Sequence, residues 1–218
     1  MARDTKAKYM LIWLFVTSAL YFLVQFIATD SYSFMTPLDE VIPFVPEFIW
    51  VYHTLIPVII ITTIFSMERR DVFFNTVLAL TLAVVILSLC HVLFPSFYPR
   101  QEIEAGSISA WLVSVTRTVD AACNTFPSGH VTFSWIIYFS ICKAECIKRT
   151  KWLRLTYLLW AILIALSTVF LKQHYIFDVV AGVLLALACV ALARKVRGWA
   201  CATKNKGRHT ETRERPTN

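Results

Sequence analysis

Two histidines and one aspartate stand out in a chain otherwise poor in charge. His174 and Asp178 are four residues apart in Gln173-His174-Tyr175-Ile176-Phe177-Asp178. That spacing puts both on one face of a helix. A carboxylate so placed can hold a proton on one imidazole nitrogen and leave the other as a nucleophile. His130 closes the run Phe126-Pro127-Ser128-Gly129-His130. Pro127 and Ser128 suit the first turn and cap of a helix. The free N–H groups at such a terminus, together with the helix dipole, favour an anion. Gly129 permits close backbone approach, and His130 stands beside the anion. Arg100, which follows Tyr98-Pro99, adds a planar fork that matches phosphate oxygens. A nucleophile, a proton donor and anion ligands together describe phosphoryl transfer. Taken singly, each feature has a plainer reading: His174 with Asp178 as a tie between helices, Pro-Ser-Gly-His as a helix start.

The elements that must hold these residues are apolar. Of 218 residues, 57% are apolar and 16% charged, against roughly 45–50% and about 25% in soluble domains. This excludes an ordinary soluble domain, a disordered chain and a disulfide-stapled module. With 5 Gly and 8 Pro, collagen-like and low-complexity classes are excluded too. A membrane span takes about 20 apolar residues, so the length suits about six spans with short loops. Spans are predicted over residues 9–28, 48–67, 72–94, 128–144, 152–171 and 175–193. The first is too long for the signal-peptide core of about 7–15 residues. Ala28-Thr29-Asp30 is also a poor cleavage motif, so an uncleaved span is expected. Pro95 and Pro99 end the third span, since proline lacks the amide hydrogen a helix needs. The loop over 95–126 carries Ile108, Trp111, Leu112, Val115 and Val119 at helical spacing, with Ser107 placed to cap them. That pattern predicts a helix lying flat at the membrane surface.

The basic residues orient the chain. Net charge is +7, and Arg100, Arg117 and Lys172 are the only bases among 21 that fall on the segments holding the candidate site. The rest collect on the other side, which the positive-inside rule makes cytoplasmic. The expected organisation is therefore a cytoplasmic N-terminus over 1–8, a six-span membrane domain over 9–193, and a basic cytoplasmic tail over 194–218. The tail shows no apolar period after Trp199 and is expected to be disordered. Its bases suit anionic lipid heads, and no nucleic-acid partner is expected. The site opens on the extracytoplasmic face, of either the cell membrane or the ER membrane. Cys142 and Cys146 share a helical spacing, but no second ligand pair follows, so no zinc is expected. Cys123 is the one cysteine clearly in an outer loop, which leaves it no disulfide partner there. His53 and His91 also sit near outer span ends, as boundary histidines or as lining of a headgroup pocket.

On these residues the chain resembles the type-2 phosphatidic acid phosphatase superfamily, relatives of the vanadium haloperoxidases. That family carries three motifs: Lys, six residues, Arg-Pro; then Pro-Ser-Gly-His; then Ser-Arg, five residues, His, three residues, Asp. The second is complete at Pro127 to His130, and the third matches at Ser167, His174 and Asp178. Order and spacing agree over a motif core of 72–193. The resemblance implies an all-α polytopic membrane protein whose partner is a membrane lipid phosphate in the bilayer. It implies that His174 attacks phosphorus to give a phosphohistidine, that Asp178 orients His174, and that His130 protonates the leaving oxygen. Ser128, the Gly129 amide and Arg100 would hold the phosphoryl oxygens, with no cofactor and no metal.

The departures are specific. The family's first-motif lysine is Leu93 here and its proline is Gln101; the third-motif arginine is Thr168. Lys172, two residues before His174, is a candidate replacement cation, and Arg117 a second. Lys172 also reads as a boundary lysine that snorkels. A reduced cation set resembles the branch that holds sphingomyelin and inositol phosphorylceramide synthases. The expected activity is thus hydrolysis of a lipid phosphate or diphosphate, with headgroup transfer between lipids as the alternative. A non-catalytic membrane scaffold is a third reading. The missing motif residues favour it, and the intact His130, His174 and Asp178 oppose it. Sequence leaves the oligomeric state open.

Overall fold

Apolar runs without an internal stop give this chain its longest helices. The computed structural model describes residues 1–27, 32–100, 102–103 and 106–213, without the side chains of 145, 146 and 200–213. Ala28, Thr29, Asp30, Gln101, the side chains of Cys146 and Cys201, and tail residues 214–218 lie outside the described residues. The chain folds as α1 (Arg3–Ile27), a short α2 (Pro37–Val41), a 3-10 turn (Pro46–Phe48), α3 (Ile49–Tyr52), α4 (Leu55–Ile61) and a π turn (Thr62–Ser66). Then follow α5 (Arg70–Leu93), α6 (Ile108–Val119), α7 (Gly129–Ile141), α8 (Glu145–Lys148), α9 (Lys151–Phe170) and α10 (Ile176–Arg213). Among the described residues there is no strand, only two isolated bridges, Tyr32 with Ser96 and Phe97 with Cys123.

Among the described residues, five segments are long and apolar enough to cross a membrane: Arg3–Ile27, Pro46–Ser66, Arg70–Leu93, Lys151–Phe170 and Ile176–Trp199. Phe15, Phe26 and Trp152 stand more than three-quarters exposed on them, which water would not tolerate over so wide a surface. The chain is an all-α polytopic integral membrane protein. Its second segment is broken where Pro57 offers no N–H to the carbonyl of His53, and α3 gives way to α4 at His53 and Thr54.

Two segments are built differently from the sequence expectation. The span expected over 128–144 is the 13-residue α7, about 20 Å long and shorter than a bilayer core of about 30 Å. Its surroundings are protein, since it packs against α5, α9 and α10. Val131, Thr132, Ser134, Ile136, Ile137 and Ile141 are all buried. A helix enclosed on every side need not match the lipid thickness. The tail expected to be disordered from Arg194 instead continues α10 as helix to Arg213. No proline interrupts it before Pro216, so the helical hydrogen-bond ladder has no forced stop.

Small residues set the contact between α7 and α10. Gly182, Ala186, Cys189 and Ala193 follow one another along a buried face of α10. A Cβ on Gly182 would lie 2.9 Å from the Ser128 carbonyl and 3.1 Å from Val131 Cβ. Glycine is therefore required for the two helices to meet there. Thr132 completes the contact, its hydroxyl donating to the carbonyls of Ser128 at 2.8 Å and Gly182 at 3.2 Å. The main apolar core joins Trp13, Ile59, Phe73, Leu80, Ile136, Ile137 and Ile164.

Basic residues gather at the end of the bundle opposite His174. Arg3 lies over the Phe65 ring, and Arg70 and Arg197 lie over Phe74. Lys6 is buried because its Nζ donates to the carbonyls of Ile64 at 3.3 Å and Met67 at 2.5 Å, beside the π turn. At the other end, α6 starts as its sequence demands, with the Ser107 hydroxyl accepting from Ala110 N at 3.1 Å. Ile108, Trp111, Val115 and Val119 are exposed along it, while Leu112 and Val113 pack on Ile49, Tyr52 and Leu171.

Candidate active site

His174 is positioned by the turn between α9 and α10. The Thr168 carbonyl, left open by the end of α9, accepts from Gln173 N at 2.9 Å and His174 N at 3.2 Å. Lys172 adopts a left-handed φ of 55 to make that reversal. Asp178 Oδ2 then accepts from Tyr175 N at 2.9 Å, and Asp39 Oδ1 accepts from Ile176 N at 2.9 Å. The start of α10 is therefore tied down by two carboxylates.

The His174 ring is anchored by a backbone carbonyl. Its Nδ1 lies 2.8 Å from the Thr125 carbonyl oxygen and 3.6 Å from Asp178 Oδ2. A carbonyl can only accept, so Nδ1 is the donor, and in the neutral ring the lone pair is then on Nε2. Asp178 is wholly buried, and its Oδ1 has no hydrogen-bond partner among the described residues. Its charge acts on the imidazole at short range without holding the proton. Thr125 is in turn fixed by Ser96, whose fully buried Oγ accepts from Thr125 Oγ1 and Phe126 N, each at 2.9 Å.

His130 approaches from α7. Ser128 caps that helix, its Oγ accepting from Val131 N at 3.4 Å, and its own N donates to the Asp178 carbonyl at 3.2 Å. This last bond links the start of α7 directly to the first turn of α10. His130 stacks on Tyr52 with ring centres 4.0 Å apart, and its ring lies 6.2 Å from that of His174. The hydroxyls of Tyr21 and Tyr52 both donate to Asp120, the latter at 3.3 Å.

A cavity of about 300 Å³ opens between these groups. Its lining combines the polar His91, Asp120, Asn124, His130 and His174 with Gly129 and the apolar Trp13, Leu55, Val84, Leu87 and Phe133. His91 and Gly129 line the same cavity as His130 and His174. A Cβ on Gly129 would meet nothing closer than 3.6 Å, so its use lies in the open face it gives the cavity. Ser128 is buried behind that face and does not line it.

The cations expected to hold phosphate are engaged elsewhere. The Arg100 guanidinium donates to the carbonyls of Arg117, at 2.8 Å, and Asp120, and to Gln173 Oε1 at 3.4 Å. Lys172 Nζ donates to the Asp39 carbonyl at 2.6 Å and is nearly inaccessible. Burial pushes its ammonium below the usual lysine range, against the pull of the Asp39 carboxylate. Arg117 donates to the Leu171 carbonyl at 3.3 Å and lies over the Phe44 ring. Among the described residues, no Lys or Arg lines the cavity. Ser167 is also remote: fully buried, it donates to the Ile164 carbonyl at 2.7 Å. His53 bonds Thr116 Oγ1 at 3.0 Å, outside the cavity lining.

Sequence reasoning missed Ser96, Thr125, Asn124, Asp120 and Asp39. Asp39 had a readable signal, since Thr36-Pro37-Leu38-Asp39 has the spacing of a helix start; Asp39 Oδ2 accepts from Thr36 N at 2.8 Å. Thr125 had none, because it acts through its carbonyl. Among the described residues, no group of three or more His, Cys, Asp or Glu lies close enough to hold a metal ion.

Comparison with known proteins adds two findings. A family model described as PAP2 superfamily matches residues 70–200, more than half of the chain. The crystal structure of Aquifex aeolicus LpxE is similar in fold: TM-score 0.50 and 20% identity, covering 79% of this chain and 93% of that one. No curated protein matches.

Proposed function

The chain belongs to the PAP2 superfamily, at the family level a membrane lipid phosphatase, and from that premise we propose that it transfers the phosphoryl group of a membrane lipid to His174 and then to water. One observation carries this reading. The Thr125 carbonyl holds the Nδ1 proton of His174, so Nε2 is the available lone pair, in a cavity that His130 shares.

The geometry supports the following steps. Nε2 attacks phosphorus while the bond to the lipid oxygen breaks, and His130 gives that oxygen a proton. His174 becomes cationic as a phosphohistidine. The buried Asp178 carboxylate, 3.6 Å from Nδ1, stabilises this charge where little water screens it. His130 then removes a proton from water, which attacks phosphorus and frees His174. The amides of Gly129 and His130 in the first turn of α7 are free of intrahelical partners and suit the phosphoryl oxygens. The apolar lining of the cavity suits the lipid body. The ring of bases at the far end supports cytoplasmic termini and an extracytoplasmic site.

Headgroup transfer to a lipid hydroxyl is the second reading, and the cavity's charge favours it. A phosphate monoester brings about two charges, a diester one, and no Lys or Arg faces the cavity among the described residues. Burying the singly charged diester there is less costly.

Purified protein in detergent with EDTA, beside His174→Ala, distinguishes the readings. Phosphatidic acid, an isoprenyl diphosphate and a phospholipid with ceramide are supplied, and free phosphate and new lipid are followed together. Phosphate release that the variant lacks is the expected result. New lipid without free phosphate replaces hydrolysis by transfer. Neither product, together with no vanadate binding, rejects both and leaves a non-catalytic member.

A further inference from the structure

We propose that Asn124 binds the transferred phosphoryl group, supplying a neutral donor where the family's motif has cations. The inference rests on the phosphoryl-transfer reading and names a ligand which that reading lacks.

Asn124 is 6% exposed, and neither its Nδ2 nor its Oδ1 has a hydrogen-bond partner among the described residues. A buried carboxamide without partners costs free energy comparable to lost hydrogen bonds. Such a group is completed by an ordered water or by a ligand. Asn124 lines the same cavity as His130 and His174. It also directly precedes Thr125, the residue whose carbonyl fixes the His174 ring. Its place beside the nucleophile is therefore set by the same short stretch of backbone.

The carboxamide suits the task. Its NH₂ offers two donors to phosphoryl oxygens, and its carbonyl can accept from an incoming hydroxyl or water. The expected cations do not compete, since Arg100, Arg117 and Lys172 all hold backbone carbonyls. An uncharged donor also leaves the imidazoles free of a neighbouring positive charge, which would oppose protonation of His130.

A plainer explanation exists and can be separated. Asn124 has φ 62, a left-handed conformation that asparagine adopts more readily than most residues. If backbone shape were its whole purpose, glycine would serve as well or better. Asn124→Gly therefore keeps the backbone and removes only the carboxamide. Asn124→Asp keeps shape and backbone tolerance, but replaces two donors by a charge that repels phosphate.

The test measures orthovanadate affinity by ⁵¹V NMR, and melting temperature, for wild type, His174→Ala, Asn124→Gly and Asn124→Asp. Wild type should bind vanadate and His174→Ala should not. Asn124→Gly should melt like wild type yet bind about a hundredfold more weakly, as when one preorganised donor is lost. Asn124→Asp should bind still less. Binding by Asn124→Gly within threefold of wild type overturns the role of Asn124 and leaves the His174 reading in place. No binding by wild type overturns both.

Discussion

The two sides of the turn between α9 and α10 are built from opposite chemistry. On the cavity side stand His174, His130, His91 and Asn124, all able to be neutral, with Asp120 the one carboxylate among the described residues. Behind them stand Arg100, Arg117, Lys172 and Asp39, charged and committed to backbone groups. The charged layer fastens loops that would otherwise have open carbonyls, and the neutral layer faces the substrate. A motif cation can thus survive in sequence while serving as frame. A charge inventory read from sequence counts residues on the right face of the membrane without seeing which way each one points.

This contrast can be broken at its strongest point first. His174→Ala should abolish turnover, a fall of about 10⁴-fold or more, measured as phosphate or lipid product. His130→Ala should follow with about 10²–10⁴-fold lost from kcat, the range for general acid–base groups. Loss confined to KM would instead make His130 a binding residue. Arg100→Ala and Lys172→Met touch the rear layer. Each strands buried carbonyl oxygens at a cost of about 1–3 kcal/mol per group. Both should lower the melting temperature while kcat falls less than about tenfold. A hundredfold kcat loss at an unchanged melting temperature would move that cation into the front layer. The smallest effect is expected from EDTA, which should leave the rate unchanged, because the proposed steps use only imidazoles, a carboxylate and amide donors. A rate restored by added divalent metal after EDTA would contradict them.

Much of this layout was legible beforehand because it rests on periodic or local signals. Long apolar runs gave five of the spans, and Ser107 and Ser128 cap α6 and α7 as their side chains dictate. His130 and His174, far apart in sequence, line one cavity with rings 6.2 Å apart. The rest depended on tertiary contact. The shortness of α7 reflects its enclosure by α5, α9 and α10, which no local pattern reports. Thr125 holds His174 through its backbone, and a carbonyl has no residue type. Arg100 and Lys172 turn away from the cavity because the end of α6 and the Asp39 carbonyl compete for them successfully. Asn124 lacked any partner in sequence that would mark it, since its significance is a missing hydrogen bond.

The central claim is that His174 Nε2 becomes covalently phosphorylated. Acid-stable and acid-labile adducts differ, so the direct measurement is a rapid base quench of wild type with a ³²P-labelled lipid substrate, followed by mapping of the labelled peptide. The account predicts an acid-labile, base-stable phosphoenzyme that forms within one turnover, maps to His174 and is absent from His174→Ala. Full turnover with no labelled enzyme, or label carried by another residue, would contradict it.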